Sequence, residues 1–98
     1  MKVPYQLLRA ARVALDIEHK DLAKEAGVSK RTLVRIERPE RVSADSIVRV
    51  QAALERLGIE FLLPEDGRGP GIRISEQAFR EPKFRRHERG QKDECPTR

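Results

Sequence analysis

Apolar residues recur at helical spacing in four segments of the first 58 residues. These segments are residues 4–15, 18–26, 30–38 and 44–57. Residues three or four positions apart lie on one face of an α-helix, so each segment predicts a helix with one apolar face. We therefore expect residues 1–58 to fold as a bundle of small helices around a shared core.

The connection between the second and third segments is very short. Gly27 follows the last apolar position of the second segment, where a left-handed residue commonly ends a helix. Ser29 is suited to be the N-cap of the next helix, because its hydroxyl can accept a hydrogen bond from the N–H of Thr32. Only Val28 and Ser29 separate Gly27 from that helix, so the two helices must cross steeply. This is the geometry of a helix-turn-helix.

Beyond Gly58 the period of the pattern changes to two. Apolar residues alternate with other residues over 59–63 and again over 72–75, and the segment between them is rich in Pro and Gly. This pattern predicts a β-hairpin with a long loop, which extends the bundle over residues 59–75.

Residues 76–98 contain many charged side chains and few apolar ones. Such a segment cannot bury enough apolar surface to offset the entropy lost on ordering. We expect it to be a charged, disordered tail. The fold class predicted for the whole chain is therefore mainly α, with a short C-terminal β-hairpin.

Composition limits the size of the fold and the class of partner. A chain of 98 residues is enough for one small domain, and a net charge of +5 favours an anionic partner, nucleic acid first and an anionic membrane second. No apolar run approaches the roughly 20 residues that a membrane-spanning helix needs. The first residues also lack the apolar run of a signal peptide. We expect a soluble protein of the cytoplasm.

The sequence offers no recognisable catalytic chemistry. Cys95 is the only cysteine, so no internal disulfide can form, and no His and Cys residues have metal-ligand spacing. His87 lies in the charged tail, and His19 is interpreted as a surface residue at a helix start, not as a catalyst. We therefore expect no enzymatic activity, no cofactor and no metal.

The residues around the short turn resemble a known family. Leu22-Ala23, Ala26-Gly27-Val28-Ser29, Leu33 and Ile36-Glu37 stand where the Cro/repressor-type, XRE-like (lambda-repressor-like) helix-turn-helix family has its pattern. The resemblance covers residues 8–57, roughly half of the chain. It implies a bundle of four or five helices in which the third helix enters the major groove of DNA.

The resemblance also implies which residues contact DNA. Lys30, Arg31 and Arg35 take the positions of the base contacts. Both Arg and Lys can donate to the major-groove edge of guanine, so sites that contain guanine are expected. The residues expected to contact the DNA backbone are His19, Thr32, Arg38, Arg41 and Ser43. Each of these sets could instead be an ordinary solvated surface.

Arg12 and Glu37 take the positions of an ion pair that is common in the family. The pair would join helix one to the end of helix three. Alternatively, the two residues are unrelated surface charges.

The predicted hairpin has two interpretations. Its apolar side chains either fold back on helices one and four, or pair with a second copy of the chain, because an isolated hairpin is only marginally stable. The residues expected at such a dimer interface are Phe61, Leu63, Ile72 and Ile74.

The leading hypothesis for function is a transcriptional regulator of bacterial or phage type. In its simplest form it is a repressor that binds double-stranded DNA as a homodimer on a near-palindromic operator. A variant is an antitoxin that represses its own operon and also binds a toxin. Two other hypotheses are a protein-interaction module that kept the fold without reading DNA, and non-specific coating of DNA by a basic surface.

Overall fold

The structure, a computed structural model, describes residues 3–81 of the chain. Its elements in chain order are α1 (Tyr5–Ala14), α2 (His19–Ala26), α3 (Lys30–Ile36), α4 (Ala44–Arg56), β1 (Ile59–Leu62), β2 (Gly71–Ile74) and α5 (Glu76–Arg80). The predicted fold class, a mainly helical bundle with a short β-hairpin, is confirmed.

Two helices are shorter than predicted, and each has a proline at or near the affected end. Pro4 lies at the start of α1, and Pro39 follows the end of α3. Pro4 has extended backbone geometry, with ψ at 152°, so it is the N-cap of α1 and not its first residue. Helix α3 ends at Ile36, two residues before the predicted end at residue 38. Pro39 disfavours helical geometry at the residue before it. The N–H of Arg38 bonds the carbonyl of Arg35, three residues back, and the chain leaves the helix in a tight turn.

Helix α4 lies at the centre of the molecule. It packs against α1, α2, α3 and β1. The core is built from Leu, Ile, Val and Ala side chains, and its largest fully buried members are Leu8, Ile17, Leu22, Leu33, Val50 and Leu54. These residues come from the predicted helical stripes and from the connection after α1, so the pattern of apolar positions accounts for the core.

The turn between α2 and α3 has the predicted geometry. Gly27 ends α2 in the left-handed conformation, with φ at +74°. The Ser29 hydroxyl caps α3 and accepts from the Thr32 N–H at 3.0 Å. Helix α4 supports the turn from the other side, because Arg49 and Arg56 donate to the carbonyls of Gly27 (3.4 Å) and Glu25 (3.0 Å) at the end of α2. These carbonyls have no partner within α2, so the two arginines satisfy them.

The hairpin folds back on the bundle. Its strands pair antiparallel, with Ile59 opposite Ile74 and Phe61 opposite Ile72, so these four side chains share one face. Ile59 belongs to the core, and the other three are partly buried against it, because β1 packs on α4 and β2 on α1. The structure thus has the first of the two predicted arrangements.

This packing changes the prediction for a dimer interface. Of the four residues expected there, Phe61, Ile72 and Ile74 pack against the chain's own core. Only Leu63, which follows β1, is largely exposed, at 61%. An apolar face that is already used within the monomer offers much less surface to a second copy than the sequence suggested.

The prediction that the tail is disordered from residue 76 is wrong for its first residues. Ser75 caps the short helix α5 and accepts from the Ala78 N–H at 3.1 Å, and Ala78 packs against the core. The Ser75 cap, the Glu76–Arg80 ion pair and the contact of Ala78 with the core stabilise this short helix. Residues 82–98, which include His87 and Cys95, lie outside the described residues.

None of the helices within residues 3–81 is long and apolar enough to span a lipid bilayer.

Candidate nucleic-acid interface

Helix α3 presents a basic outer face. Its inner residues, Leu33 and Ile36, are buried in the core, whereas Lys30, Arg31 and Arg35 are exposed. The seven residues of α3 make about two turns, a length of roughly 10 Å. All three predicted base-contacting residues therefore lie together on one short, exposed and positively charged surface.

The N-terminus of α3 is fixed by paired hydroxyls. Ser29 Oγ accepts from the Thr32 backbone N–H and also donates to Thr32 Oγ1 at 2.9 Å. The Thr32 hydroxyl is an acceptor in this pair, so it keeps its own hydrogen to donate. It is half-buried at the helix start, a geometry that suits a phosphate oxygen.

A shallow depression beside α3 gathers basic side chains from three helices. Arg12 of α1, His19 and Lys20 of α2, and Lys30 of α3 all line it, together with Glu18. Lys20 is a candidate that the sequence interpretation missed. Its position immediately after His19, in the first turn of α2, could have indicated it, because that turn faces the same surface as the start of α3.

Below this depression, the carboxylate of Glu37 joins three helices. Glu37 is only 4% exposed, and its Oε2 accepts from Arg12 Nε at 2.8 Å. Its Oε1 lies 3.1 Å from His19 Nε2. Arg12 also donates to the carbonyl of Ile17 at 3.2 Å. The structure thus contains the predicted ion pair, and it adds His19 as a partner that no sequence spacing indicated.

His19 therefore has a structural contact besides its predicted role. Its Nε2 faces Glu37, while the side chain remains about one-third exposed at the start of α2. A contact between His19 and the DNA backbone would use the other ring nitrogen. That contact stays a prediction.

The loop after α3 carries the remaining predicted contacts. Arg38 and Arg41 are exposed, and Ser43 caps α4 by accepting from the Ser46 N–H at 3.2 Å. The sequence interpretation did not single out Glu40, which binds both Arg35 and Arg38. Hydrogen bonds from Arg38 and then Arg35 hold the pKa of the Glu40 carboxyl below its ordinary value.

Within residues 3–81, no three His, Cys, Asp or Glu side chains are grouped in a way that could hold a metal ion. The cations and hydroxyls of this surface can bind anionic oxygen atoms and the acceptor edges of bases.

Comparison with known proteins agrees with this geometry. No curated protein matches the chain. A protein-family model described as Helix-turn-helix matches residues 8–62, which is more than half of the 98 residues. The matched segment begins within α1 and continues through α4 and β1, and the family is one of DNA-binding domains. The chain belongs to the XRE-like, lambda-repressor-like helix-turn-helix family.

Proposed function

We propose that this protein is a sequence-specific regulator of transcription that reads double-stranded DNA with α3 in the major groove. The observation that carries the proposal is the rigid presentation of a basic face. Leu33 and Ile36 anchor α3 in the core, and the buried Glu37 ties its end to α1 and α2. A fixed helix can align its outer side chains with the edges of particular base pairs.

The residues divide into two roles. Lys30, Arg31 and Arg35 are proposed to contact bases, because Arg and Lys side chains can donate to the O6 and N7 of guanine. A second set of residues would contact the phosphates of the DNA backbone and set the position of α3 in the groove. These backbone-contacting residues are His19, Lys20, Thr32, Arg38, Arg41 and Ser43.

We further propose that the protein acts as a homodimer. A single recognition helix touches too few base pairs for strong specificity, whereas a two-fold dimer places two such helices about one DNA turn, roughly 34 Å, apart. The operator would then be near-palindromic, and occupying it would repress transcription. The place of action would be the cytoplasm of a bacterial cell. A toxin-binding antitoxin is the variant in which a second protein partner binds outside α3.

The first experiment is selection of bound duplexes from a random pool, followed by affinity measurements on the selected motif. Replacement of Lys30, Arg31 and Arg35 by Ala is expected to abolish preference for the motif. The matched control replaces three basic residues away from α3, namely Lys24, Arg68 and Arg73, all of which are exposed. It removes the same charge and is expected to keep the preference.

The other outcomes separate the competing hypotheses. A pool with no enriched motif, bound with a steep dependence on salt, would indicate non-specific coating of DNA. No DNA binding at all would indicate a protein-interaction module. Either result would contradict the proposed function.

A further inference from the structure

A single carboxylate binds two of the arginines proposed to meet DNA. Glu40 Oε1 accepts from Arg35 Nε at 3.1 Å, and its Oε2 accepts from Arg38 Nη1 at 3.1 Å. Arg35 projects from α3, whereas Arg38 belongs to the loop that follows. The three side chains form a cluster at the edge of the basic face, and we call it the Glu40 clamp.

The turn at Pro39 brings the clamp together. The Glu40 N–H bonds the carbonyl of Arg38 at 2.7 Å, so the chain reverses within three residues. This reversal carries the Glu40 side chain back over the last turn of α3, where Arg35 emerges. The hydrogen bonds that Arg38 and then Arg35 donate to it lower the pKa of the Glu40 carboxyl, as expected for a carboxylate between two cations.

The Glu40 clamp contributes little to the stability of the fold. The side chains of Arg35, Arg38 and Glu40 are 51%, 59% and 35% exposed. Ion pairs this exposed are screened by solvent and contribute little to stability. They can still favour one orientation of Arg35 before DNA binds, because a free Arg side chain has many rotamers and loses that freedom on binding.

The bonding pattern leaves Arg35 free to read a base. Glu40 uses the Nε–H of Arg35. The guanidinium has four further N–H groups, and the pair at its far end, one on each terminal nitrogen, can donate side by side to guanine O6 and N7. The carboxylate also repels phosphate, so it opposes a shift of Arg35 toward the DNA backbone.

We propose that Glu40 is a positioning residue that sets sequence specificity by holding Arg35 in the orientation for base contact. This inference rests on the proposed function, because it assigns Glu40 a part in the same interface. It predicts that Glu40 acts through Arg35. Loss of Glu40 should therefore reduce the discrimination between DNA sequences, without reducing the general affinity for DNA.

The test compares Glu40→Ala with the wild-type protein on the selected motif and on a scrambled duplex. The ratio of the two affinities is expected to fall by about two- to fivefold, because the loss cannot exceed the weak free energy of the exposed ion pair that holds Arg35. Affinity for the scrambled duplex should stay the same or rise, since a negative charge has been removed. Glu40→Gln repeats the test with a side chain of the same shape if Glu40→Ala lowers the melting temperature.

The matched control is Glu76→Ala. Glu76 also forms an exposed ion pair with an arginine, Arg80, at 2.8 Å, so the charge change is identical. It lies beyond the C-terminal end of α4, whereas Glu40 precedes the N-terminal end. The 13 residues of α4 span about 20 Å. This control is expected to leave the affinity ratio unchanged.

A double variant shows whether Glu40 acts through Arg35. Adding Glu40→Ala to Arg35→Ala is expected to lower the ratio no further, and an additional loss would overturn the inference. It would also be overturned if Glu40→Ala kept the wild-type ratio, or strengthened binding to the motif alone. A wild-type protein that selects no motif overturns the proposed function together with this inference. A motif that Glu40→Ala reads equally well overturns this inference alone.

Discussion

Glu37 is the residue that fixes the position of α3 relative to α1 and α2. It closes α3, and its carboxylate is buried against Arg12 of α1 and His19 of α2. A buried carboxylate is costly unless cations or N–H donors satisfy its oxygens. Both oxygens have such a partner here. The contact therefore holds α3 at one angle to the rest of the bundle.

We predict that Glu37→Ala destabilises the fold more than it changes the preferred DNA sequence. The substitution leaves Arg12 partly buried without its partner, a situation that costs about 3–5 kcal/mol. Denaturant unfolding measures this loss, and Glu60→Ala, an exposed carboxylate on β1, is the control with the same charge change. An unchanged melting temperature for Glu37→Ala would contradict the structural assignment.

At this scale, the sequence predicted some contacts and could not predict others. The Arg12–Glu37 pair was accessible through the family resemblance, because both positions belong to its pattern. The contacts of Glu37 with His19 and of Glu40 with Arg35 depend on how far particular side chains reach across a turn. Residue spacing does not encode that reach, so only the folded arrangement shows these partners.

At the scale of elements, Gly58 controls the junction where α4, β1 and α5 meet. Its φ is +111°, and a Cβ placed there would lie 2.7 Å from Ala78 Cβ and 2.8 Å from Ser75 Oγ. The Gly58 carbonyl also accepts from the Ser75 N–H at 2.8 Å. A side chain at this position would strain the backbone and push α5 away from the end of the bundle.

Gly58→Ala is accordingly predicted to lower the free energy of unfolding by about 1–3 kcal/mol, the usual cost of a strained backbone conformation. The matched control is Gly69→Ala, because a Cβ at Gly69 meets no atom within 4 Å. Amide hydrogen exchange should also show faster exchange in α5 for Gly58→Ala. Equal stability of the two variants would mean that the junction adapts without strain.

The elements found by periodicity were those long enough to show it. Helices α1 to α4 and both strands follow from apolar stripes, caps and glycine stops. Helix α5 has only five residues, which is too short to show a helical period. The mean composition of residues 76–98 is highly charged, so it does not indicate a helix at the start of this segment. Ser75 followed by Glu76 was the available local signal, because this pair is typical of a helix start.

At the scale of the whole molecule, the basic surface extends from α3 to the first turn of α2. The helices α1, α2 and α3 contribute cations to one depression, so a DNA strand beside α3 would pass over Lys20. Contacts of this kind position the protein without reading sequence. They should therefore affect affinity and its salt dependence but not the selected motif.

For Lys20→Ala we predict weaker binding to all duplexes, with the salt dependence of log K reduced by about one unit and the motif unchanged. The measurement is a salt titration of affinity. Lys24→Ala, also exposed on α2, is the control with the same charge change. A change in the selected motif, or the same salt slope as the wild type, would show that Lys20 does not contact phosphate.

The dimer remains a prediction at this scale. The hairpin face that the sequence offered for pairing packs mostly on the chain's own core, and pairing could not be predicted from apolar alternation alone. Alternation indicates that one face of a strand is buried, but it does not indicate which surface packs against that face. Leu63 is the one residue of the predicted set that remains largely exposed.

The buried Glu37 also limits how the domain can be cut or transplanted. The partners of its carboxylate lie 25 and 18 residues earlier in the chain, in α1 and at the start of α2. The segment from His19 to Glu37 looks self-contained as a motif. Grafted alone onto another scaffold, however, it would carry a carboxylate without the guanidinium of Arg12. The smallest portable unit of this protein is therefore the bundle that includes α1, not the helix-turn-helix by itself.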